Sequence, residues 1–289
     1  MNKNLTLIFC SYQSQYFLEK VLRRFYKKYP IIIVENSCDK SIRDELKSKF
    51  KNINFIIPKK NLGVASSYNL AIRKAKSKFV FLNNPDIEIS NFAIRKLITC
   101  ANKIKNFGII SPVYKNERIF RNYEILSSKK EYINKTTKKF NVREVDLIDN
   151  SFLISKRIIK KIMFDEKFFL YFEVFDFAKN LKKTGKKLYV AKNIKFNHYG
   201  SSSVPIKYSN LVEKTRAFHY NWSKFYFYKK NYNYFFALRK IYPNIFKALK
   251  KLLISLIKVD TNNCLIGLIE LMGIFASVFC LKSFYRPKN

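Results

Sequence analysis

Three stretches hold side chains whose types and spacing could do chemistry. In Phe79 to Asp86, FVFLNNPD, four bulky apolar residues are followed at once by Asn83, Asn84, Pro85 and Asp86. Pro85 fixes its own φ and pushes Asn84 towards extended backbone. The Asn84 amide oxygen and the Asp86 carboxylate can therefore converge beyond the end of a strand. Two hard oxygens there suit Mg²⁺ or Mn²⁺, which commonly take one or two protein oxygens and complete their shells with substrate phosphates. Asn, Pro and Asp are also ordinary turn residues, so the surrounding chain has to separate a ligand site from a plain turn. The second stretch holds Glu173 and Asp176, three apart and so on one face of a helix expected over Phe172 to Lys183. The third is His198, delivered by a strand end beside Gly200 to Ser203.

The elements that must position these residues read as an alternating α/β chain. Apolar runs predict strands at Leu5 to Cys10, Ile31 to Glu35, Ile53 to Ile57 and Phe79 to Leu82. Between the first two, Phe17, Leu18, Val21, Leu22 and Phe25 share one helical face. Asp39 or Ser41 can cap a helix running to about Phe50. Gly63 permits a tight turn, and the small Ala65, Ser66 and Ser67 let a following helix pack closely. Further on, a helix is expected over Asn91 to Lys105, a strand over Gly108 to Val113, and a polar insertion over Tyr114 to Asn141. Val145 to Ile154 then reads as a strand pair or one bent strand, and Leu188 to Val190 and Ile194 to His198 as two short strands.

Repeated β-α-β order is the signature of a mostly parallel, Rossmann-like sheet flanked by helices. In such sheets ligands bind beyond the carboxyl ends of the strands. Those ends carry Ser11-Tyr12, Glu35-Asn36 and Asn84-Pro85-Asp86, three polar loops facing one crevice.

The chain has 289 residues and a formal net charge of +37. A polyanion partner is the first inference from such a charge. Its even spread, +25 over residues 1–200 and +12 over 201–289, leaves no separate basic domain and argues against nucleic acid. Five widely spaced cysteines, with no C-x-x-C, fit reduced thiols better than disulfides or zinc. The apolar run in MNKNLTLIFC is too short for a signal peptide, so the expectation is a cytoplasmic protein.

LIFCSYQS, IVENSCD, NLGVASSYN, FLNNPDI, FDEKFFLYFEVFDF and NHYGSS, in that order, resemble the family 2 glycosyltransferases, above all their bacterial rhamnosyltransferase-like branch, over about residues 5–203. The resemblance implies a GT-A fold over residues 1–204 and inverting transfer of a sugar from a nucleotide-sugar to an acceptor hydroxyl of a cell-envelope glycan or lipid-linked molecule. It implies that Asn84 and Asp86 stand for the family's metal-binding Asp-x-Asp, with His198 as a further ligand to Mn²⁺ or Mg²⁺. Ser11, Tyr12, Glu35, Asn61, Gly63 and Asn69 fall at donor-binding positions, with Asn84 among them. At the helix start the family commonly reads Glu-Asp-x-Asp, whereas this chain has Glu173-Val174-Phe175-Asp176. Val174 cannot take a proton. The base is then Glu173 with Asp176 in support, or Asp176 itself, or the protein is a non-catalytic, membrane-surface binder of sugar nucleotides.

Residues 205–289 read as a helical, basic and aromatic appendage. Phe218 to Phe236 crowds aromatics among lysines, the pattern of a packed helix or a membrane-interface belt. Ile245 to Lys258 is an amphipathic helix with lysines on its polar face, of the kind that lies on a membrane surface. Cys264 to Leu281 is apolar but carries Glu270 near its middle, which disfavours a span. That segment is expected to be a helix buried against the catalytic domain or lying in the interface. The appendage as a whole should hold the protein peripherally on the anionic inner face of the cell membrane.

Overall fold

Leu5–Ser11 (β1) and Phe79–Asn83 (β4) are almost wholly apolar, buried along their length and paired in parallel, Ile8 opposite Leu82. Ile31–Glu35 (β2) lies on the other side of β1, with Ile32 beside Ile8 and Glu35 beside Ser11. Asn54–Ile56 (β3) follows beside β2. Strands buried on both faces read as continuous apolar runs, which is why β1, β2 and β4 were legible in the sequence, whereas β3 is only partly buried. The computed structural model describes residues 2–51, 53–117, 121–125, 140–199 and 204–286. Gly200 to Ser203 and most of the insertion read between Tyr114 and Asn141 lie outside them.

The chain forms two compact units. The first comprises Met1–Lys60, Ser67–Phe164 and Phe177–Val204, the second Asn61–Ser66, Asp165–Asp176 and Pro205–Asn289. A single boundary after residue 204 therefore misses two internal segments that join the C-terminal unit. Within that unit they are tied together: Val64 N–H donates to Phe169 O at 2.7 Å. Gly63 sits at φ +73 where a Cβ would come within 2.3 Å of the same oxygen, so only glycine permits the approach.

In the first unit the sheet continues past β4 with Phe152–Ser155 (β10), antiparallel to β4 and to Phe107–Tyr114 (β6). Ile87–Glu88 (β5), Val142–Val145 (β8) and Lys187–His198 (β11) complete it, in the order β3-β2-β1-β4-β10-β6-β11-β5, with β8 on β11. Beyond β4 the sheet is thus mixed. Tyr123–Glu124 (β7) and Leu147–Ile148 (β9) form a separate pair, so Val145 to Ile154 supplies three strand pieces. The two short strands expected near the end of this region are one, β11, with its register against β6 shifted between Ala191 and Lys195. Helices Gln15–Phe25 (α1), Lys40–Lys49 (α2), Gly63–Lys74 (α3), Asn91–Lys103 (α4), the short Lys156–Ile159 (α5) and Glu173–Lys183 (α6) complete the alternation. Asp39 caps α2 by accepting from Ser41 N–H.

The second unit is built on Ser209–Asn231 (α7), Tyr234–Ile257 (α8) and Thr261–Val278 (α9). Asn233 caps α8 through Phe236 N–H and divides the aromatic stretch between two helices. Phe218, Trp222, Ile269 and Ala276 form one apolar cluster, and Phe225, Ala237, Ile241 and Ile274 another. Gly273 lets α9 pass within 2.4 Å, measured from a would-be Cβ, of the Phe218 carbonyl on α7. By length and composition alone α9 could cross a membrane, but 39% of it is buried, and its Glu270 pairs with Lys251 of α8. It is a helix of this bundle. Inside the unit, the His219 ring lies tilted against Phe169 at 4.5 Å between centroids and meets Tyr285 O through Nε2. A carbonyl only accepts, so Nε2 carries the ring's proton.

Burial pushes the His219 pKa down to about 3, although the bond to Tyr285 pulls the other way. The unfolded imidazole titrates near its usual 6.5, so as pH falls below that value the unfolded chain takes up a proton that the native state refuses. Stability should drop by up to about 1.4 kcal/mol per pH unit from this group between about 6.5 and 3. Urea unfolding at a series of pH values should show that slope between about pH 6 and 5, above most carboxylate titrations. His219→Asn should flatten it. An unchanged slope in the variant would show that His219 is not the source.

Candidate active site

The carboxyl ends of β1 and β2 bring buried polar groups together. Glu35 is fully buried, and its Oε1 accepts from the backbone N–H of Gln13 and of Ser37, both at 3.0 Å. Its Oε2 and the Ser11 hydroxyl have no hydrogen-bond partner among the described residues. A buried polar atom left unpaired costs about 1–3 kcal/mol. A carboxylate oxygen and a hydroxyl on paired strand ends are thus left with unused hydrogen-bonding capacity. Tyr12 is half-buried beside them, and Gln13 holds a left-handed φ of 52° that turns the chain into α1.

Register at the far end of the sheet creates the second cluster. The turn Asn84-Pro85-Asp86 leads straight into β5, and β5 pairs antiparallel with the last residues of β11, Ile87 opposite His198. Tyr199 N–H donates to Asp86 O at 3.1 Å. Asp86 Oδ2 and His198 Nε2 are consequently 3.3 Å apart, and Asp86 is 6% exposed. Asp86 is thus buried although it lies beyond the end of β4. Tyr114 at the end of β6 bonds His198 Nδ1 at 3.0 Å and fixes the ring. Burial pushes the Tyr114 pKa up to about 12, against the opposing bond from Asn150, so the phenol keeps its proton near neutrality.

One carboxylate and one imidazole at this spacing fit neighbouring positions on a small divalent ion. Carboxylate oxygen suits Mn²⁺ and Mg²⁺, and imidazole favours the transition metal. Among the described residues no group of three or more His, Cys, Asp or Glu could enclose an ion, so phosphate and water oxygens would have to complete the shell. Asn84 stands at the same turn, and its Oδ1 accepts from Tyr68 OH at 3.3 Å. Asp149 and Asn150, passed over as strand residues, also belong here. Asn150 bonds Tyr114. Burial raises the Asp149 pKa, partly offset by the Asn150 backbone N–H and by nearby His198. Their signal was the one used for Asn84 and Asp86, a polar pair breaking an apolar run.

Two expected donor residues have other work. Asn69 is buried, and its amide grips Phe164 from both sides, Nδ2 to O and Oδ1 from N–H, each at 3.0 Å. This is a backbone clamp. Asn61 Oδ1 accepts from Gly63 N–H at 2.9 Å and shapes the entry to α3, in the second unit.

The second unit also holds the acidic helix start. Tyr171 and Phe172 are consecutive non-glycine residues at φ 69° and 63°. Such conformations cost of order 1–3 kcal/mol each and gather at functional sites. They set Glu173 in the first turn of α6, 7% exposed, where the helix dipole favours a carboxylate. Val174 is buried at 4% exposed and faces the core. Asp176 is fully buried and accepts from Lys230 Nζ at 2.7 Å and Asn231 Nδ2 at 2.8 Å. Lys230 also holds Asp165 at 2.7 Å. Burial alone would lower the Lys230 pKa, but these two carboxylates outweigh it and raise it.

A mixed sheet with a parallel half, flanked by helices and with polar groups gathered beyond its strand ends, is an α/β architecture of the GT-A type. The family model described as glycosyl transferase family 2 matches residues 12–163, and the chain belongs to that family. Among solved structures it is similar to the mannosyltransferase PcManGT from Pyrobaculum calidifontis in complex with GDP-Man and Mn²⁺. The TM-score is 0.55 at 12% identity, covering 96% of this chain and 87% of that one. It is also similar to GalNAc-T7 with UDP, GalNAc and Mn²⁺, at TM-score 0.54 and 11% identity, covering 84% of this chain and only 57% of that one. S. aureus TarS 1-349 matches at TM-score 0.50 and 13% identity, with 93% and 90% covered. Identities this low carry the fold alone. No curated protein sequence matches the chain.

Asp86→Asn keeps the shape and removes the charge. It should abolish Mn²⁺-dependent binding of a nucleoside diphosphate in calorimetry with little change in melting temperature. Tyr114→Phe should weaken Mn²⁺ dependence by about tenfold to a hundredfold, as loss of a partner behind a metal-bound imidazole does. Parent-like binding by Asp86→Asn would remove the metal assignment.

Proposed function

We propose that this protein is an inverting, metal-dependent glycosyltransferase. Its donor is a nucleotide-sugar, and its acceptor is a hydroxyl of a cell-envelope glycan or lipid-linked molecule at the inner face of the cell membrane. The six motifs from LIFCSYQS to NHYGSS, in order, lead us to infer the rhamnosyltransferase-like branch of the family. The observation that carries the reading is the Asp86–His198 pair, in the same unit as the unpaired Glu35 Oε2 and Ser11 hydroxyl. Two proteins of like fold were solved with a nucleotide or nucleotide-sugar and Mn²⁺.

Glu35 and Ser11 would receive hydrogen bonds from the nucleoside, and Asp86 with His198 would hold the ion that accompanies the diphosphate. When bound, that ion neutralises charge building on the leaving group. Glu173 takes the proton from the acceptor hydroxyl. The acceptor oxygen then bonds to the anomeric carbon as the bond from that carbon to the diphosphate oxygen breaks, and one displacement inverts the anomeric centre. Asp176 is occupied with Lys230 and Asn231, which favours Glu173 for the proton. Val174, buried where the family resemblance implies an acid, supports a second reading, a non-catalytic binder of sugar nucleotides.

A screen of nucleotide-sugars for Mn²⁺-dependent thermal stabilisation should find a donor, since ligand binding raises apparent stability by mass action. With that donor, Glu173→Gln should retain binding and lose about 10²- to 10⁴-fold in turnover. NMR of the product should show the inverted anomer. Asp176→Asn should act through stability, lowering the melting temperature. Full turnover by Glu173→Gln beside a folded, inactive Asp176→Asn would exchange their roles. A donor that binds but never transfers would favour the non-catalytic reading.

A further inference from the structure

The second unit carries a feature that sugar transfer does not use. Gly267 of α9 lies against Leu252 of α8, so the end of α8 runs beside the start of α9. At this end large apolar side chains point to solvent. Leu253, Leu256 and Ile257 fall at i, i+3 and i+4 on α8, Val259 occupies the turn, and Leu265 and Leu268 follow on α9, from 44% to 83% exposed. Soluble surfaces seldom gather so many.

The turn itself is strained in an informative way. Asp260 N–H bonds Ser255 O and Val259 N–H bonds Leu256 O, the paired bonds of a helix stop whose second-last residue is left-handed and usually glycine. Here that residue is Val259, at φ 54° and 82% exposed. A β-branched side chain is a genuine outlier there, and one turned to solvent gains nothing by packing. Asp260 then caps α9 through Asn263 N–H at 3.0 Å, so the turn is fixed on both sides.

Charge says what covers this end. From Tyr234 to the cap residue Lys258 there are six basic residues and no acidic one, and Lys247, Lys250 and Lys258 are exposed. A second copy of the chain would bring like charges together, whereas a lipid surface rich in phosphate would neutralise them. We propose that the α8–α9 turn is a membrane-docking wedge. Its apolar side chains enter an anionic leaflet, and its lysines sit among the phosphates. Asp260 and the exposed Thr261, Asn262 and Asn263 in the same turn hold the depth to the interface. The inference rests on the bundle alone and is independent of the reaction.

Co-sedimentation of the full chain with phosphatidylglycerol–phosphatidylcholine vesicles should show binding that salt weakens and that phosphatidylcholine alone does not support. Val259→Gly separates the wedge from the fold. It relieves the left-handed strain, so the melting temperature should stay or rise, while partitioning falls about tenfold through the lost apolar side chain. Lys250→Gln and Lys258→Gln should each cost about fivefold. Mn²⁺-dependent nucleoside diphosphate binding should be unchanged in all three, which keeps this test apart from that of the reaction. Parent-like partitioning of Val259→Gly overturns the proposal. So would an Ile257→Ser variant that bound vesicles normally but lost a concentration-dependent dimer, since the face would then belong to a second copy.

Discussion

The pairing of two residues of β5 with the last residues of β11 is the constraint on which the candidate metal site depends. β5 is too short to be stable by itself, and it exists because β11 runs on for twelve residues and offers its edge. That register sets His198 opposite Ile87, one residue from Asp86. Without it the turn after β4 would be the plain turn that its composition equally allows. Between Ala191 and Lys195 the register of β11 against β6 shifts, an irregularity of the kind often found near functional residues.

Burial of polar groups is the theme of both units, with different outcomes. In the first, Glu35 spends one oxygen on two backbone donors and keeps the other, a state that a ligand can improve. In the second, Asp165 and Asp176 share Lys230 and take further bonds from Tyr226 and Asn231, although Asn231 Oδ1 has no partner among the described residues. Breaking one member of such a group costs about 3–5 kcal/mol because the remaining charge stays buried. The network therefore holds the helix start that carries Glu173. Two left-handed aromatic residues just before it need such rigid support to persist.

The excess of basic residues has several uses. Many lysines are simply solvated, which keeps a chain soluble without bearing on its fold. Lys192 and Lys195 hold Glu117, whose pKa is brought down to about 2 by those bonds and by Tyr123, against the opposing effect of burial. Lys230 is structural. On α8 basic residues are spread along a helix that carries no acidic one, and those near its exposed apolar end bear on what that surface meets.

The sequence by itself determined the elements and their order. Bulky runs such as Ile31–Glu35 can only be buried strands, and Asp39 and Gly63 mark helix starts, because these signals arise between neighbours in the chain. It also placed polar residues at the strand ends, since parallel connection fixes which ends coincide. Tertiary structure alone decided which of those residues meet. Asp86 and His198 are 112 positions apart, and Tyr114 reaches the histidine across 84. Asn69 grips Phe164 and Asp176 is held by Lys230, over 95 and 54 positions. Periodicity carries no record of such bonds, because a side chain's partner depends on sheet register and helix packing. The left-handed Val259 was equally hidden, because the residue type argues against the conformation that the helix stop imposes on it.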